Sequence, residues 1–483
     1  MRYRAITGLF LLCSSSLWAA TKAPVISLND AIMLSLRYSP IVKSAEIQRV
    51  VDKFNLAVAK NQFEFQYALT GAANQTNTVA NDAPLDIVGT YNATPSIARQ
   101  TVHGTQYNLS MPNNVTYNKT PGVRTNHYNP ALILQVAQPI LQGSGREIVE
   151  SNLNQAINTQ KEAELTYKST VMNSITQVIE DYRNLIAANK SLIVAQEALK
   201  ASRVNVKNNE AQIKLGFMAP AENTQTLSFV ASQELQVTSA EYTVIQAKLT
   251  LLLDIGLAPT TPMAISNEID AVNINYPKGE EAKYIMFANN PSYLTAVYNL
   301  KNAKISLLQA EDKQRWSLNL VGTVVQGNGL GGDGNSGIPS LYNGRNSSRS
   351  LGLQLNVPID NLPIQQQLVT ARVAYTQQEL TLRDLRLSLE TALLTSLANL
   401  RILFMQVKIA KEAERLSYQA YKNSLTMARL GKSSMFEVTT NQSTYISNQL
   451  NTITTEISYL NGITQYQNLL GITLDEWKIK IGY

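Results

Sequence analysis

Two long stretches without glycine or proline dominate the pattern of apolar and polar residues. They cover residues 146–215 and 364–430. In the second, apolar and small residues recur at alternating spacings of three and four from Leu368 to Met427, the seven-residue period of helices that supercoil around neighbours. As helices, the two stretches would be about 105 and 100 Å long, far beyond the helices of compact domains. This pattern predicts an elongated coiled-coil assembly, and its many Ala, Ser, Asn and Gln residues suit a wall of helices.

Shorter segments alternate residue by residue, which is typical of half-buried strands. One begins with "EFQYALTGA" at Glu64, and a matching one begins at Trp316; the returning strands contain "LILQVAQPI" and "LGLQLNVPI". We predict one apolar face on these strands, formed by Phe65, Tyr67, Leu69, Gly71, Leu132, Leu134, Val136, Trp316, Leu318, Leu320, Gly322, Val324, Leu351, Leu353 and Leu355. The polar segments 76–127 and 326–350 are predicted to be long loops, although Tyr107, Leu109 and Met111 could extend a strand inside the first.

The two halves of the chain match each other. The segments that begin at Ser39 and Asn290 align at a constant offset of 251 residues, which pairs Pro40 with Pro291 and Gly71 with Gly322. This predicts two internal repeats. Repeat 1 covers 21–256, with a helix, a hairpin at about 62–141, a long helix over 146–215 and a helix over 220–255. Repeat 2 covers 281–483, with a helix, a hairpin at about 314–359, a long helix over 364–430 and a helix over 434–470. Residues 257–280, which contain three prolines, are predicted to be a connector.

The N-terminus has the pattern of a secretory signal peptide. Arg2 and Arg4 precede the apolar run "AITGLFLLC", and the segment ends "SSSLWAA" at Ala20. We predict a signal peptide over 1–20, which includes Cys13, the only cysteine. A lipid anchor on Cys13 is disfavoured because Leu12 occupies a position where a small residue is wanted. The rest of the chain contains no run of 18 apolar residues, so the sequence predicts no transmembrane helix there. An exported chain can also enter a membrane through strands.

The strand count predicts that several chains share one barrel. Four strands cannot close a membrane barrel, whose smallest members have about eight strands. Open sheet edges in lipid would leave backbone groups unpaired, at several kcal/mol for each group. Two copies would give eight strands and three would give twelve, and twelve leave room for a lumen. The expected fold class is an α+β membrane protein, with four strands per chain in a shared barrel that long helices continue.

The chain resembles the outer membrane efflux protein family, the TolC-like channels of tripartite pumps and type I secretion systems. The resemblance rests on "SLNDAIMLSLRYSP", on "QPILQGSGR" and on two similar helix corners, "KLGFMAPAENTQ" and "RLGKSSMFEVTT", in a doubled order of elements. It implies a homotrimer with a 12-strand barrel in the outer membrane of a Gram-negative bacterium, and an α-helical barrel in the periplasm. It also implies a periplasmic adaptor (membrane fusion) protein and an inner-membrane transporter, either ABC or proton-driven.

The helix corners supply the candidate site residues. Glu222 and Glu437 follow the two Leu-Gly pairs at the same offset, and Ser434-x-x-Glu437 matches a capping box. Their simpler role is to stabilise helix starts. Six such carboxylates in a trimer could also ring the periplasmic aperture and favour cations. Thr440 stands where the resemblance puts a further acid in some members. The resemblance also implies that the adaptor protein contacts the helix corners, at Leu215, Gly216, Leu430 and Gly431.

Composition gives little support to other functions. Charged residues make up 16% of the chain and the net charge is +6, without a Lys/Arg cluster that would predict nucleic-acid binding. The two histidines, His103 and His127, lie outside any metal-binding spacing. We therefore expect no enzyme activity, no cofactor and no metal. The alternative is an exported trimeric coiled-coil protein with a structural or adhesive role at the cell surface, which would not require apolar hairpins. The transported cargo is not predicted.

Overall fold

A computed structural model describes residues 24–79, 86–120, 123–216, 219–266, 268, 276–327, 338–342 and 346–482, without the side chains of residues 86, 120, 221, 222, 339 and 340. The predicted signal peptide, with Cys13, lies outside the described residues. The chain divides into two compact units. Unit 1 contains Met1–Val42, Ser174–Tyr276 and Asn399–Gln465; unit 2 contains Lys43–Asn173, Pro277–Ala398 and Tyr466–Tyr483.

Helices account for most of the described chain. They are α1 (Leu28–Tyr38), α2 (Pro40–Asn61), α3 (Arg146–Val149), α4 (Ser151–Lys214), α5 (Pro220–Ile255), α6 (Gly279–Asn289), α7 (Pro291–Asp312), α8 (Leu362–Arg429), α9 (Met435–Leu470) and α10 (Thr473–Glu476). The first long stretch is thus helical in two pieces, with a break at Glu150, and the second is one helix of 68 residues. Equal lengths recur, because α1 and α6 have 11 residues each, α2 and α7 have 22, and α5 and α9 have 36.

The ends of α5 and α9 require glycine. Gly256, just after α5, has φ +85°, and a Cβ added there would lie 2.3 Å from the carbonyl oxygen of Tyr38. Gly471, just after α9, has φ +78°, and its Cβ would lie 2.5 Å from the carbonyl oxygen of Asn289. Both the left-handed backbone and the close approach of another chain segment exclude a side chain. The same contact therefore occurs once in unit 1 and once in unit 2.

Among its described residues, unit 2 contains an antiparallel sheet of seven strands. They are β2 (Gln66–Thr78), β3 (Asp86–Gln100), β4 (Gln106–Ser110), β5 (Asn113–Thr120), β6 (Val123–Pro139), β8 (Ser317–Gly327) and β9 (Ser347–Asn356). The order is β2-β3-β4-β6-β8-β9, and β5 pairs with β3 and β6 on the same sides as β4. Because β4 and β5 lie end to end, the sheet has six strand paths. Two short strands, β1 (Val25–Ile26) and β7 (Ala264–Ile265), pair separately in unit 1.

The expectation of four strands per chain is wrong. The segment 76–127 was expected to be a loop, but its described residues mostly form β3, β4, β5 and the start of β6. This segment is rich in Asn and Thr, and its polar composition suggested a loop. Those polar residues alternate with apolar ones and occupy one face of a sheet. The second hairpin has the expected two strands, β8 and β9.

The regular seam on α8 extends over only part of the helix. Seam positions from Leu368 to Ser396 are partly or fully buried. The seam consists of two sets of positions, each repeating every seven residues. Beyond Ser396 the buried positions of one set shift by one residue, so that the predicted Asn399 is exposed whereas Leu400 is fully buried. A straight helix has 3.6 residues per turn and drifts against a 3.5-residue repeat, so the burial does not follow one strict heptad along the whole helix.

Within the part of the chain that the structure describes, one helix meets the length and composition of a membrane span. α8 contains an 18-residue window with a mean hydropathy of 1.3 and at most two charged residues. Sequence analysis found no uninterrupted apolar run because polar residues are interspersed in this window. Only 11% of this window is buried in the single chain, so composition and length are all that it shares with a membrane span; Leu393 and Leu400 of α8 are buried.

Candidate functional site

One face of the sheet is apolar and exposed across all six strand paths. Register places Tyr67 beside Ile97, Ile97 beside Leu109, Leu109 beside Leu134, and Leu134 beside Val324. Directly paired residues share a face of the sheet. The face also includes Leu69, Pro95, Tyr107, Leu132, Val136, Leu318, Leu320, Leu351, Leu353 and Leu355. The apolar face predicted from alternation is confirmed for its members within the strands, and the additional strands continue it.

This apolar face is unusual for a surface in contact with water. Tyr67 and Leu69 are 75% and 76% exposed, and Leu351 and Leu353 are 76% and 67% exposed. Single exposed apolar residues are common, but a continuous apolar surface indicates contact with a partner or a membrane. An apolar groove of about 530 Å³ crosses this face between β2 and β6. The face is therefore suited to lipid.

The opposite face is polar and carries almost no formal charge. It presents Asn, Gln, Ser and Thr on every strand path, for example Asn92, Asn108, Gln135, Asn319 and Gln354. Among the strand side chains that the structure describes on this face there is no Asp, Glu, Lys or Arg, and His127 is the only titratable group. This face borders a cavity of about 760 Å³ near the ends of α3 and α7. An uncharged surface rich in amides and hydroxyls can hydrogen-bond hydrated solutes of either charge.

The junction of sheet and helices is fixed by hydrogen bonds within unit 2. The backbone N–H of Gly143 donates to Asp312 Oδ2 at 2.7 Å, and Gln309 Nε2 donates to Ser151 Oγ at 2.6 Å and to Asn152 Oδ1 at 2.9 Å. These bonds connect the start of the long helix after β6 to the end of α7. They define the side of the sheet from which the helices continue.

The two helix corners lie in unit 1 and have similar local structure. Leu215 and Leu430 are 69% and 65% exposed. Gly216 and Gly431 follow them with φ of +79° and +70°, as is common just after a helix end. The N–H of Lys432 donates to the carbonyl oxygen of Met427 at 2.9 Å, which closes the last turn of α8. Exposed apolar side chains at a tight corner are accessible to another protein.

The predicted acidic positions are at the starts of the next helices. Glu222 lies in the first turn of α5, which begins at Pro220, and its side chain is outside the described part. Glu437 is exposed in the first turn of α9; its N–H donates to Ser434 Oγ at 3.3 Å, and its carboxylate accepts from Ser433 Oγ at 2.6 Å. The serine cap is therefore present, while the carboxylate bonds to Ser433. Exposed Thr440 Oγ1 donates to the carbonyl oxygen of Phe436 at 2.9 Å.

Sequence analysis missed a buried polar cluster behind the corners. Gln442 of α9 is buried, and its Nε2 donates to Ser202 Oγ of α4 at 3.2 Å. Asn205 Nδ2 donates to Gln442 Oε1 at 3.2 Å, and Asn209 Nδ2 donates to Thr226 Oγ1 of α5 at 2.9 Å. Buried amides need such partners because an unpaired polar group costs about 1–3 kcal/mol. The only sequence signal was the polar content of the long helices.

A second cluster that the sequence analysis missed contains acids. Asp181 of α4 is buried and hydrogen-bonds Asp254 of α5, while Gln177 Nε2 donates to both carboxylate oxygens of Asp181 at 3.2 Å. Burial, and then the hydrogen bond with Asp254, raise the pKa of Asp181 to about 7. Burial also raises the pKa of the neighbouring Glu180. Nearby, the buried Arg183 Nη1 donates to the carbonyl oxygen of Leu460 at 2.8 Å.

Metal chemistry has no support in the described residues. No group of three His, Cys, Asp or Glu side chains among them could hold a metal ion. His103 lies in the turn between β3 and β4, and His127 lies in β6. The candidate functional surfaces in the described residues are therefore the two faces of the sheet and the exposed helix corners.

Comparison with solved structures identifies the fold. Neither a protein-family model nor a curated protein sequence matches the chain. Three matching structures are one outer-membrane protein, VceC, and two outer-membrane channels, CmeC and MtrE. VceC of Vibrio cholerae has 14% identity, TM-score 0.68 and covers 92% of this chain and 96% of its own. CmeC of Campylobacter jejuni has 13% identity, TM-score 0.67 and coverages of 97% and 94%. MtrE of Neisseria gonorrhoeae, in its open state, has 14% identity, TM-score 0.67 and coverages of 92% and 89%. This chain therefore has the fold of the TolC-like outer-membrane efflux channels.

Proposed function

We propose that this protein is the outer-membrane exit channel of a tripartite efflux pump or a type I secretion system. It conducts substrate passively from the periplasm to the exterior. The observation that carries this proposal is the sheet with one continuous apolar, exposed face and one polar face. In a bilayer the apolar face meets lipid and the polar face lines water.

The open edges of the sheet support a shared barrel. β2 and β9 each have only one strand neighbour within the described sheet. Because β2 and β9 are the first and the last of six strand paths in an antiparallel order, the two edges run in opposite directions. The β9 edge of one copy can therefore pair with the β2 edge of the next in the same antiparallel manner. Pairing removes the several kcal/mol that each unpaired backbone group would cost in lipid.

We propose a homotrimer, as the family resemblance implies, with the sheets forming a barrel in the outer membrane and the helices in the periplasm. The matching lengths of α1 and α6, α2 and α7, and α5 and α9 support two internal repeats.

The two helix corners supply the proposed contacts with partner proteins and the proposed aperture. A periplasmic adaptor protein docks on Leu215, Gly216, Leu430 and Gly431, and an ABC or proton-driven inner-membrane transporter supplies the energy. Glu222 and Glu437, with Thr440 one turn further along α9, surround the periplasmic aperture.

Reconstitution of the purified protein tests the proposal. The expected result is a trimer that resists detergent and dissociates on heating. In cells it should remain with the outer membrane after carbonate washing. In planar bilayers it should conduct ions. A monomer that is soluble without detergent and does not conduct would refute the channel function. A soluble, elongated trimer that binds surfaces but does not conduct would instead favour the adhesive coiled-coil alternative.

A further inference from the structure

The first half of the chain contains an additional hairpin between the two strands that correspond to β8 and β9. The repeat offset relates Gln66, the first residue of β2, to Ser317, the first residue of β8. The similar segments "LILQVAQPI" and "LGLQLNVPI" relate β6 to β9. β8 pairs directly with β9, whereas β2 and β6 are separated by β3 and the β4–β5 path. Residues 86–120 therefore add two strand paths to one half of the chain.

The additional hairpin is fully integrated into the sheet. β3 pairs with β2 over 13 residues, from Ala98 opposite Gln66 to Asp86 opposite Thr78. The interruption between β4 and β5 is bridged on both sides, because Met111 N–H donates to Pro95 O at 2.9 Å and Ala131 N–H donates to Pro112 O at 3.0 Å. The ladder is thus continuous where Pro112 cannot donate a hydrogen bond.

The hairpin also reaches the helical side of the sheet. Its turn contains Gly104, and a Cβ added there would lie 3.1 Å from Gly143 O, Pro139 Cγ and Val149 Cγ2, where β6 leads into α3. Gln138 Nε2 of β6 donates to His103 O in this turn at 3.4 Å. A loop confined to the outer surface would not contact the helix junction, so the hairpin spans the sheet from end to end.

The inserted strands have the same two faces as the others. Ile97, Leu109 and Tyr107 continue the apolar face; Asn92, Ser96 and Asn108 are among the residues that continue the polar face. A plug inside a lumen would not need an exposed apolar face. The hairpin therefore has the pattern of barrel wall.

From these observations we infer that the membrane pore is an 18-strand barrel, which passes bulky, hydrated polar cargo without sorting it by charge. This inference rests on the proposed trimeric channel, because three copies with six strand paths supply the 18 strands. It replaces the expected 12-strand barrel. With strands about 4.8 Å apart and tilted by about 40°, the backbone radius is about 12 Å for 12 strands and about 18 Å for 18 strands.

The wider wall changes which solutes can enter. Side chains occupy about 5 Å inside the wall, half the spacing between packed sheets. The free radius then rises from about 7 Å to about 13 Å. The amide and hydroxyl lining can hydrogen-bond such cargo. Among its described strand side chains there is no Asp, Glu, Lys or Arg, and Asp86, at the start of β3, is the one acidic strand position on this face whose side chain lies outside the described part. Charge selection is therefore left to other parts of the channel.

Cysteine cross-linking tests the strand arrangement, in a background where Cys13 is replaced. The pairs A68C/S96C and N108C/Q135C lie directly opposite each other across β2–β3 and β4–β6, within reach of a disulfide. We expect both pairs to form intramolecular disulfides in outer membranes. The matched control is A68C/Q135C, which the repeat places opposite each other only if β2 pairs directly with β6. A disulfide in A68C/Q135C, with none in the other pairs, would overturn the inference.

Polymer access tests the pore width. Neutral polyethylene glycols of graded size, added on the extracellular side of planar bilayers, should enter the wild-type barrel up to a hydrodynamic radius of about 13 Å. Replacing residues 80–122 with residues 328–346 should reduce that cutoff to about 7 Å. A wild-type cutoff near 7 Å would refute the 18-strand pore even if the replacement variant does not assemble. Absence of any channel or trimer in the wild type would instead refute the proposed function.

Discussion

The buried carboxyl of Asp181 makes the stability of unit 1 depend on pH. Its pKa is raised to about 7, first by burial and then by the hydrogen bond with Asp254; Glu180 adds repulsion, and only Gln177 acts in the opposite direction. In the unfolded chain the same carboxyl ionises near pH 4. The folded state therefore binds a proton more tightly than the unfolded state does.

The sign and size of the effect follow from this difference. A raised carboxyl pKa gives a stabilisation that is complete below about pH 4 and is lost as the pH rises to about 7. A difference of about three pKa units is worth about 4 kcal/mol. Asp181→Asn keeps the size and a hydrogen-bonding group but cannot ionise. We expect Asp181→Asn to remove most of the loss of unfolding free energy between about pH 4 and about pH 7. The substitution should therefore stabilise the protein at pH 8 more than at pH 5.

Thermal unfolding of the purified protein in detergent, followed by helical circular dichroism at pH 5 and pH 8, measures this. The wild type should unfold at a lower temperature at pH 8 than at pH 5, and Asp181→Asn should narrow that difference. Glu210→Gln is the matched control, because it neutralises an exposed carboxyl of the same helix, α4. Equal pH dependence in the wild type and Asp181→Asn would show that the carboxyl is not protonated at neutral pH, and the reasoning would fail.

Three further predictions concern the helix corners, the sheet and the glycine turns. Gly256→Ala should lower the unfolding free energy by about 1–3 kcal/mol, since it forces a side chain into a left-handed turn; an unchanged melting temperature would contradict the close approach to α1. Glu222→Gln combined with Glu437→Gln should reduce cation selectivity or cation block in planar bilayers, and unchanged selectivity and block would exclude an acidic aperture. Under the proposed function, Leu353→Arg should reduce the amount of protein recovered in the outer membrane, because arginine in lipid costs about 2–4 kcal/mol. Its neighbour Gln354→Arg, on the polar face, should assemble normally, and equal losses would refute the assignment of the faces.

Local patterns predicted the elements most reliably. The stretch expected as a helix over 220–255 is Pro220–Ile255 in the structure, and the stretch expected over 364–430 is Leu362–Arg429. Long runs without glycine or proline leave few alternatives to a helix. Alternation along β8 likewise placed Leu318 and Leu320 correctly on the apolar face, because successive side chains of a strand point to opposite faces.

The additional strands could not be recognised from composition. Asn92, Thr94 and Ser96 look like loop residues, but they line the polar face of a sheet whose other face is apolar. Composition averages the two faces of a strand together, whereas pairing separates them. In the sequence, the alternation of Tyr107, Leu109 and Met111 indicates a strand at β4 alone, and no comparable alternation of large apolar residues marks β3 or β5.

The buried clusters depend on contacts between distant parts of the chain. Asp181 and Asp254 are 73 positions apart, and Asn205 and Gln442 are 237 apart. In the sequence each resembles an ordinary polar residue on a helix surface. Only packing of α4 against α5 and α9 buries them and gives each its partner.

The sequence by itself determined the long helices and the two-sided strands, since these follow from periodicity. Tertiary structure alone decided how many strands each chain contributes and which polar groups are buried. The physical reason is that periodicity is a local property, while strand pairing and burial depend on residues that are distant in the chain and adjacent only after folding.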